Sequence, residues 1–165
     1  MKAVGMLSTP ILNLVRDQLA DCIVVDFLHP WAANVAFEGN IPLIMFNPWS
    51  LFHVCCEDSL NRFKPHENVN VGSDWEPFLL PGLPDHVELT RSRLPDHFRG
   101  PVIVGKDFIS SFKHAMDTCY CLMVNSSCEF ESKYVHYYNN VVGRKCCLVA
   151  PPHCYPVPKD DNIFE

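Results

Sequence analysis

Four short apolar runs, separated by stretches with helical spacing, constrain the fold of this chain more than any other feature. The runs occupy residues 22–25, 41–46, 121–124 and 146–150. Runs of this length without polar interruption are typical of strands that are buried on both faces of a parallel sheet. Their alternation with helical segments predicts an α/β fold, in which helices flank a parallel sheet.

The segments between the apolar runs carry apolar residues at three- and four-residue spacing, which predicts helices. The first helix is expected to begin near Pro10, and the others to cover residues 30–37, 51–60, 107–119 and 129–142. Ser50 is expected to cap the third helix, and Gly143 to end the last one. The apolar residues expected to face inward include Leu14, Leu19, Phe37, Phe52, Phe130 and Val141.

Residues 64–101 differ in composition from the rest of the chain, because they contain six of its fourteen prolines. This composition predicts a long irregular connection, a feature that is usually functional or mobile in compact α/β proteins. We therefore expect one domain over residues 1–151, with a Pro-rich loop at 64–101 and a polar tail at 152–165.

Charge and apolar content argue against several classes of protein. The chain of 165 residues has a net charge of −6 and no run of more than two basic residues, which argues against nucleic-acid binding. The uncharged stretch that contains residues 41–56 is shorter than the roughly 20 residues of a membrane-spanning helix. The N-terminus does not resemble a signal peptide, so no transmembrane or secretory segment is expected.

Cysteine is abundant, with nine residues, and Cys22 and the pairs 55–56 and 146–147 lie in apolar segments. In a secreted chain this odd number would leave a free thiol. In a reducing cytosol the cysteines act as small buried apolar residues, and this interpretation is favoured. The sequence therefore predicts a cytoplasmic protein.

Asp26 is the first candidate functional residue, because it lies at the carboxyl end of a predicted buried strand. Ligands of open α/β sheets bind beyond these strand ends, so a carboxylate there can reach a site. Alternatively, Asp26 only ends the strand or caps the next helix, and His29 either pairs with it or lines a loop. Cys119, Cys121 and Cys128 do not have the spacing of metal ligands, and no metal site is predicted. Glycine-rich phosphate-binding motifs and GxSxG are absent from the sequence.

An ordered set of motifs resembles the plant UDP-glycosyltransferases of glycosyltransferase family 1. The stretch at residues 21–31, DCIVVDFLHPW, resembles the family pattern P-D-C-x-V-x-D-x-x-x-P-W. Further matches follow in family order at residues 41–42, 50–52, 76–84, 88–92, 94–95, 124–126, 129, 131, 134–135, 137–138 and 143–145. Each motif is weak alone, but the ordered set is specific and covers nearly the whole chain up to about residue 151.

The resemblance implies a GT-B fold, in which two Rossmann-like halves enclose a cleft. The N-terminal half binds the acceptor and the C-terminal half binds the UDP-sugar, and this chain matches a part of the N-terminal half. Residues 152–165 are then a tail or the start of an interdomain segment. The implied activity is transfer of a sugar from a UDP-sugar to a hydroxyl of a small lipophilic acceptor, such as a flavonoid or terpenoid. The UDP-sugar is a co-substrate, and no cofactor is implied.

The resemblance also assigns roles to individual residues. Asp26 matches the carboxylate that orients the catalytic histidine of the family, Phe27 and Trp31 match acceptor-binding positions, and Ser50 matches the donor side. The sequence departs from the family at residues 47–49, where Asn-Pro-Trp replaces the usual His-Gly-Thr. No histidine precedes His29, so the catalytic base of the family has no counterpart upstream. The isolated chain is therefore expected to be inactive, and the alternative is a non-catalytic α/β small-molecule-binding remnant.

Overall fold

The computed structural model describes residues 6–68, 74–100 and 106–149, which form an α/β structure around one parallel sheet. Its four strands stand in the order β1-β2-β5-β6, and all neighbouring pairs are parallel. These strands are β1 (Ile23–Asp26), β2 (Leu43–Asn47), β5 (Cys121–Val124) and β6 (Cys146–Leu148). The predicted parallel α/β sheet is therefore confirmed, with each of the four apolar runs forming a strand.

Helices connect the parallel strands, as parallel pairing requires. They are α1 (Ser8–Asp17), α2 (Ala32–Gly39), α3 (Leu51–Phe63), α4 (Asp96–Arg99), α5 (Lys106–Thr118) and α6 (Cys128–Tyr137). Ser50 caps α3 as predicted, since its Oγ accepts a hydrogen bond from the His53 amide at 3.3 Å. Helix α6 continues as a π-helical turn at Tyr138–Val142, and Gly143 ends it with a φ of +76°, a conformation that glycine adopts without strain.

The main core packs the sheet against helices α2, α3, α5 and α6. Met45 and Leu122 from the two central strands are fully buried, and Leu51, Cys55 and Tyr138 pack against them from the helical segments. Burying an aliphatic side chain of this size contributes about 1.5–3 kcal/mol. This core fixes α3 and the segment that precedes it over the carboxyl edge of the sheet.

Several apolar residues that were expected to be buried are exposed. Strand β1 is not buried on both faces, because Val24 is 59% exposed and β1 is an edge strand in the described part of the sheet. Leu19 is 85% exposed because α1 has already ended before it, and its φ of +48° carries the chain away from the helix axis. The predictions for Cys22, Leu14, Phe37, Phe52, Phe130 and Val141 were also wrong, since all of these side chains are exposed.

The segment 64–101 is more regular than its proline content predicts. It contains an antiparallel pair, β3 (Pro77–Leu79) and β4 (Glu88–Thr90), and 3₁₀ turns at Pro65–Glu67 and Arg91–Arg93. A second, smaller core holds this pair against α3, and it consists of Cys56, Leu60, Phe78, Leu80 and Leu94. Proline is tolerated here because β3 and β4 are both edge strands.

No helix among the described residues has both the length and the apolar character needed to cross a membrane.

Candidate functional site

Asp26 lies at the carboxyl edge of the parallel sheet, where the sequence predicted it. Its Oδ1 accepts a hydrogen bond from the Leu28 amide at 2.9 Å, which fixes the carboxylate over the turn that follows β1. Its backbone carbonyl accepts from the His29 amide at 3.0 Å, but the two side chains form no pair. Among the described residues Oδ2 has no hydrogen-bond donor, so one oxygen of the carboxylate is free to orient a further group.

A cavity of about 340 Å³ opens between helices α3 and α5, and Phe27, the residue after Asp26, lines it. Its wall is aromatic at the sheet edge: the Phe27 ring lies 4.8 Å from Trp49 and 6.3 Å from Phe112, measured between ring centroids. Phe108 stacks on Phe112 at 6.4 Å, one turn earlier in α5. We call this cavity the aromatic chamber. Such a wall favours a flat, apolar ligand, because aromatic surfaces bury a large area against one another.

The other end of the aromatic chamber is polar but electrically balanced. Arg144 Nη2 lies 2.6 Å from Asp117 Oδ1, and Arg62 Nε lies 3.1 Å from Asp58 Oδ2. Burial raises the pKa of Asp58, although Arg62 opposes that shift. Burial alone would lower the pKa of Arg144, but Asp117 and the Tyr138 hydroxyl stabilise its charge and raise that pKa. The chamber thus offers paired polar groups that suit hydroxyls, at the end of an apolar wall.

The four residues assigned from the sequence do not all lie together. Phe27 lines the aromatic chamber beside Asp26. Trp31 is half-buried and packs against His29 at 6.1 Å and against the main core, and it does not line the chamber. The Ser50 hydroxyl is occupied by its cap on α3. The roles of Asp26, Phe27, Trp31 and Ser50 stay predictions.

Sequence reasoning missed the other residues of the aromatic wall. Trp49 was noted only as a departure from the family, although it follows β2 at the same sheet edge as Asp26. Phe108 and Phe112 lie in the segment 107–119, which was predicted only as a helix, and their four-residue spacing places them on one face of α5. A signal for this wall was available in the sequence. Phe108 and Phe112 lie on one helix face, and Phe27 and Trp49 follow two neighbouring strands.

Glu131 is a buried charged residue that positions the chamber. Its Oε2 accepts from the Leu51 amide at 2.9 Å and its Oε1 accepts from the Phe52 amide at 2.7 Å. A carboxylate is stable at this place because the free amides and the dipole of α3 attract negative charge. Asn47 adds a second restraint, since its Oδ1 accepts from the Trp49 amide at 3.0 Å. Trp49 therefore stands on a firmly held turn.

Within the described ranges, no three histidine, cysteine or acidic side chains are close enough to hold a metal ion.

A parallel α/β sheet with a cavity beyond its carboxyl edge is the architecture of one Rossmann-like half of a GT-B glycosyltransferase. No family model matches the chain. It is 34% identical over 151 residues to the UDP-glucosyl transferase 73DL1 of Saponaria officinalis, and 34% identical over 151 residues to the scopoletin glucosyltransferase of Nicotiana tabacum. These matches cover 91% of this chain and 30% and 31% of the two relatives.

The solved structures agree with these relatives. The crystal structure of UGT73P12 from Glycyrrhiza uralensis, in complex with glycyrrhetinic acid 3-O-monoglucuronide, superposes with a TM-score of 0.80 at 33% identity. The superposition covers 91% of this chain and 30% of the chain of UGT73P12. Apo UGT2 of Phytolacca americana has the same fold, with a TM-score of 0.67 at 14% identity. The chain is a homologue of plant UDP-glycosyltransferases and spans about 30% of the length of the relatives it matches.

Proposed function

We propose that this chain forms the acceptor-binding part of a plant-type UDP-glycosyltransferase, which transfers a hexosyl group from a UDP-sugar to a hydroxyl of a small lipophilic acceptor. The observation that carries the proposal is the aromatic chamber, whose wall begins at Phe27, the residue directly after Asp26. The relatives fit this substrate class, since they include scopoletin and anthocyanin glucosyltransferases. The enzyme needs a UDP-sugar as co-substrate and no cofactor.

The proposed chemistry gives Asp26 a positioning role. An acceptor hydroxyl is a weak nucleophile at neutral pH, so a histidine base removes its proton while the oxygen attacks the anomeric carbon. The bond from that carbon to the UDP oxygen breaks, UDP leaves with the electron pair, and the anomeric configuration inverts. A carboxylate beside the histidine fixes its tautomer and stabilises the imidazolium that forms. The free Oδ2 of Asp26 supports this role, which needs a histidine within hydrogen-bond reach of that oxygen.

We also infer that the protein is cytoplasmic and does not bind nucleic acid. All eight described cysteines are free thiols, and Cys55 and Cys56 are buried, which fits a reducing compartment. The net charge of −6 opposes binding to a polyanion.

The second candidate is a non-catalytic binding module, which is favoured by Asn-Pro-Trp at residues 47–49 in place of the usual His-Gly-Thr, since Trp49 lines the aromatic chamber and has no hydroxyl. Both candidates predict that the 165-residue chain binds a phenolic acceptor such as scopoletin. Only the first predicts transfer when the chain is placed in a complete enzyme.

The experiment has two arms. First, scopoletin fluorescence is titrated with the isolated chain, and transfer from UDP-glucose is assayed by chromatography; binding without turnover is expected. Second, residues 6–149 replace the matching segment of the Nicotiana tabacum enzyme, and this chimera is expected to glucosylate a phenolic acceptor. A folded chimera that binds scopoletin but transfers no glucose to any phenol tested supports the binding module. Absence of acceptor binding in both arms contradicts both candidates.

A further inference from the structure

A second cavity, of about 690 Å³, adjoins the aromatic chamber on the side away from the sheet edge. It lies between the end of α3, the turn at Pro65–Glu67, helix α4 and helix α5. Asn61, His97, Ile109 and Lys113 line both cavities, so the two are direct neighbours. We call the second cavity the cationic chamber.

The cationic chamber has a charge opposite to that of the whole chain. Lys64, Arg91, Arg99 and Lys113 line it, and the one carboxylate of its described lining, Glu67, pairs with Lys64 at 3.2 Å, so three cations remain in excess. The chain as a whole has 13 basic and 19 acidic residues, so these four cations are concentrated in one place. The stretches 69–73 and 101–105, which adjoin the chamber residues in sequence, contain no charged residue that would offset them.

Both arginines are held mainly by backbone carbonyls rather than by carboxylates. Arg91 donates to the carbonyls of His66 and Arg99, at 3.3 and 3.2 Å, and Arg99 donates to those of Leu94 and Ser92. The carboxylates near them, Asp74 at 3.8 Å from Arg91 and Asp96 at 4.0 Å from Arg99, do not line the chamber. Carbonyl acceptors orient a guanidinium but, unlike carboxylates, do not neutralise its charge, so the chamber remains positive.

Two further groups are poised for an anion. The ammonium of Lys113, at the junction of the chambers, makes no direct ion pair or hydrogen bond with a described residue, although its charge favours the ionised form of Asp58 in the aromatic chamber and so lowers the pKa of that carboxyl. His66 lines the cationic chamber, is only 6% exposed, and its Nδ1 has no hydrogen-bond partner among the described residues. A buried polar nitrogen without a partner costs free energy, and a ligand can remove that cost.

We infer that the two chambers together select an acceptor that carries an anionic substituent on an apolar ring system. The rings occupy the aromatic chamber against Phe27 and Phe112, and the anion, most simply a carboxylate, lies in the cationic chamber with Lys113 at the junction. The inference rests on the proposed function, because it names the acceptor class of the same site. A neutral phenol fills only the first chamber and leaves the excess positive charge of the second without an anionic ligand.

The test compares two dyes, anilinonaphthalenesulfonate and phenylnaphthylamine, which share one ring system and differ in the sulfonate. Fluorescence titration of the 165-residue chain is expected to show tighter binding of the anionic dye. Lys113→Gln should lower the affinity for the anionic dye by about three- to fivefold, since one partly exposed charge pair is worth up to about 1 kcal/mol. The affinity for the uncharged dye should not change. Lys113→Arg should retain the preference.

Lys145→Gln is the matched control, because Lys145 lies over the Tyr120 ring and lines neither chamber. Raising the salt concentration from about 50 to about 500 mM should reduce the preference, because the Debye length falls several-fold. The inference is overturned if the anionic dye binds no tighter than the uncharged dye. It is also overturned if Lys145→Gln has the effect of Lys113→Gln, or if Lys113→Gln weakens both dyes equally.

Phe112→Ala separates this inference from the proposed function. Far-UV circular dichroism checks that this variant is folded. The variant should bind both dyes more weakly than the wild type. If the uncharged dye binds and Phe112→Ala weakens that binding, but the sulfonate gives no gain in affinity, only the inferred selection of an anionic acceptor fails. If the uncharged dye does not bind, or binds independently of Phe112, the aromatic chamber and with it the proposed function fail.

Discussion

The Glu131 carboxylate accepts a hydrogen bond from the Leu51 amide at 2.9 Å, although the two residues are 80 positions apart in sequence. Its second oxygen accepts from the next amide of α3, that of Phe52. This contact joins helix α6 to the first turn of α3, directly after the turn that carries Trp49. The geometry of the aromatic chamber therefore depends on a charge located on a different helix.

Glu131→Gln should destabilise the chain by about 1–3 kcal/mol, because a charge-assisted pair of hydrogen bonds to a helix N-terminus becomes at best one neutral bond. Urea denaturation followed by circular dichroism measures the change. Glu38→Gln is the control: Glu38 is exposed on α2, and its variant should stay within about 0.5 kcal/mol of the wild type. Equal stability of the two variants would show that the Glu131 contact contributes nothing.

Gly82→Ala should destabilise the chain more than Gly143→Ala. Both glycines have positive φ, at +78° and +76°, so both variants carry a similar backbone strain of about 1–2 kcal/mol. A Cβ at position 82 would also lie 3.1 Å from Phe63 Cε2, whereas a Cβ at position 143 meets nothing within 4 Å. Melting temperatures of the two variants test this difference. A lower melting temperature for Gly143→Ala would contradict the packing of the turn against Phe63.

The strands were predictable because each is a short apolar run between polar or turn residues. Residues 121–124 were predicted as a strand and form β5, and Asp26 was placed at the sheet edge because it ends the first run. The exposure of single side chains was less predictable. Periodicity shows that Phe37 and Val35 lie on α2, but only the neighbouring elements decide that Val35 is buried and Phe37 is 88% exposed.

The site was predictable only as far as its residues follow strands. Phe27 comes directly after Asp26, so its place at the chamber follows from the strand end. Trp31 was assigned by resemblance; it packs beside His29 and does not line the chamber, and its acceptor-binding role stays a prediction. Phe112 faces Phe27 only because α5 packs across the sheet edge, after an excursion of more than 80 residues along the chain. No local pattern in the sequence predicts the contact between Phe27 and Phe112.

The stability of the chain should fall as the pH rises from about 9 to about 11. Burial raises the pKa of Cys56, Cys119 and Cys146 from 9.0 to about 11 in the folded chain. Below pH 9 both states keep these protons and the stabilisation is complete. Between the unfolded and folded pKa values the unfolded thiols lose their protons first, so alkali favours unfolding. The melting temperature, measured at intervals across this range, should fall by several degrees.

Thiol variants isolate this effect. Cys119→Ala should flatten the alkaline decline, because it removes one of the shifted groups, whatever it costs in stability at pH 7. Cys22→Ala should leave the decline unchanged, because Cys22 is exposed. A decline that is the same in all three proteins would mean that other groups, such as buried tyrosines, control the alkaline limit.

Asp26→Asn should abolish most of the turnover in the chimera with the Nicotiana tabacum enzyme. Asparagine keeps the shape of the side chain and can still accept from the Leu28 amide, so the fold of the turn is retained. It removes the negative charge that stabilises the imidazolium and fixes its tautomer, and we expect kcat to fall by about 10²–10⁴. The affinity for scopoletin should change much less, because Asp26 does not line the aromatic chamber. Asp21→Asn, an exposed acid before β1, is the control and should keep the wild-type rate. If Asp26→Asn retains more than about half of the rate, Asp26 only ends its strand and the positioning role is wrong.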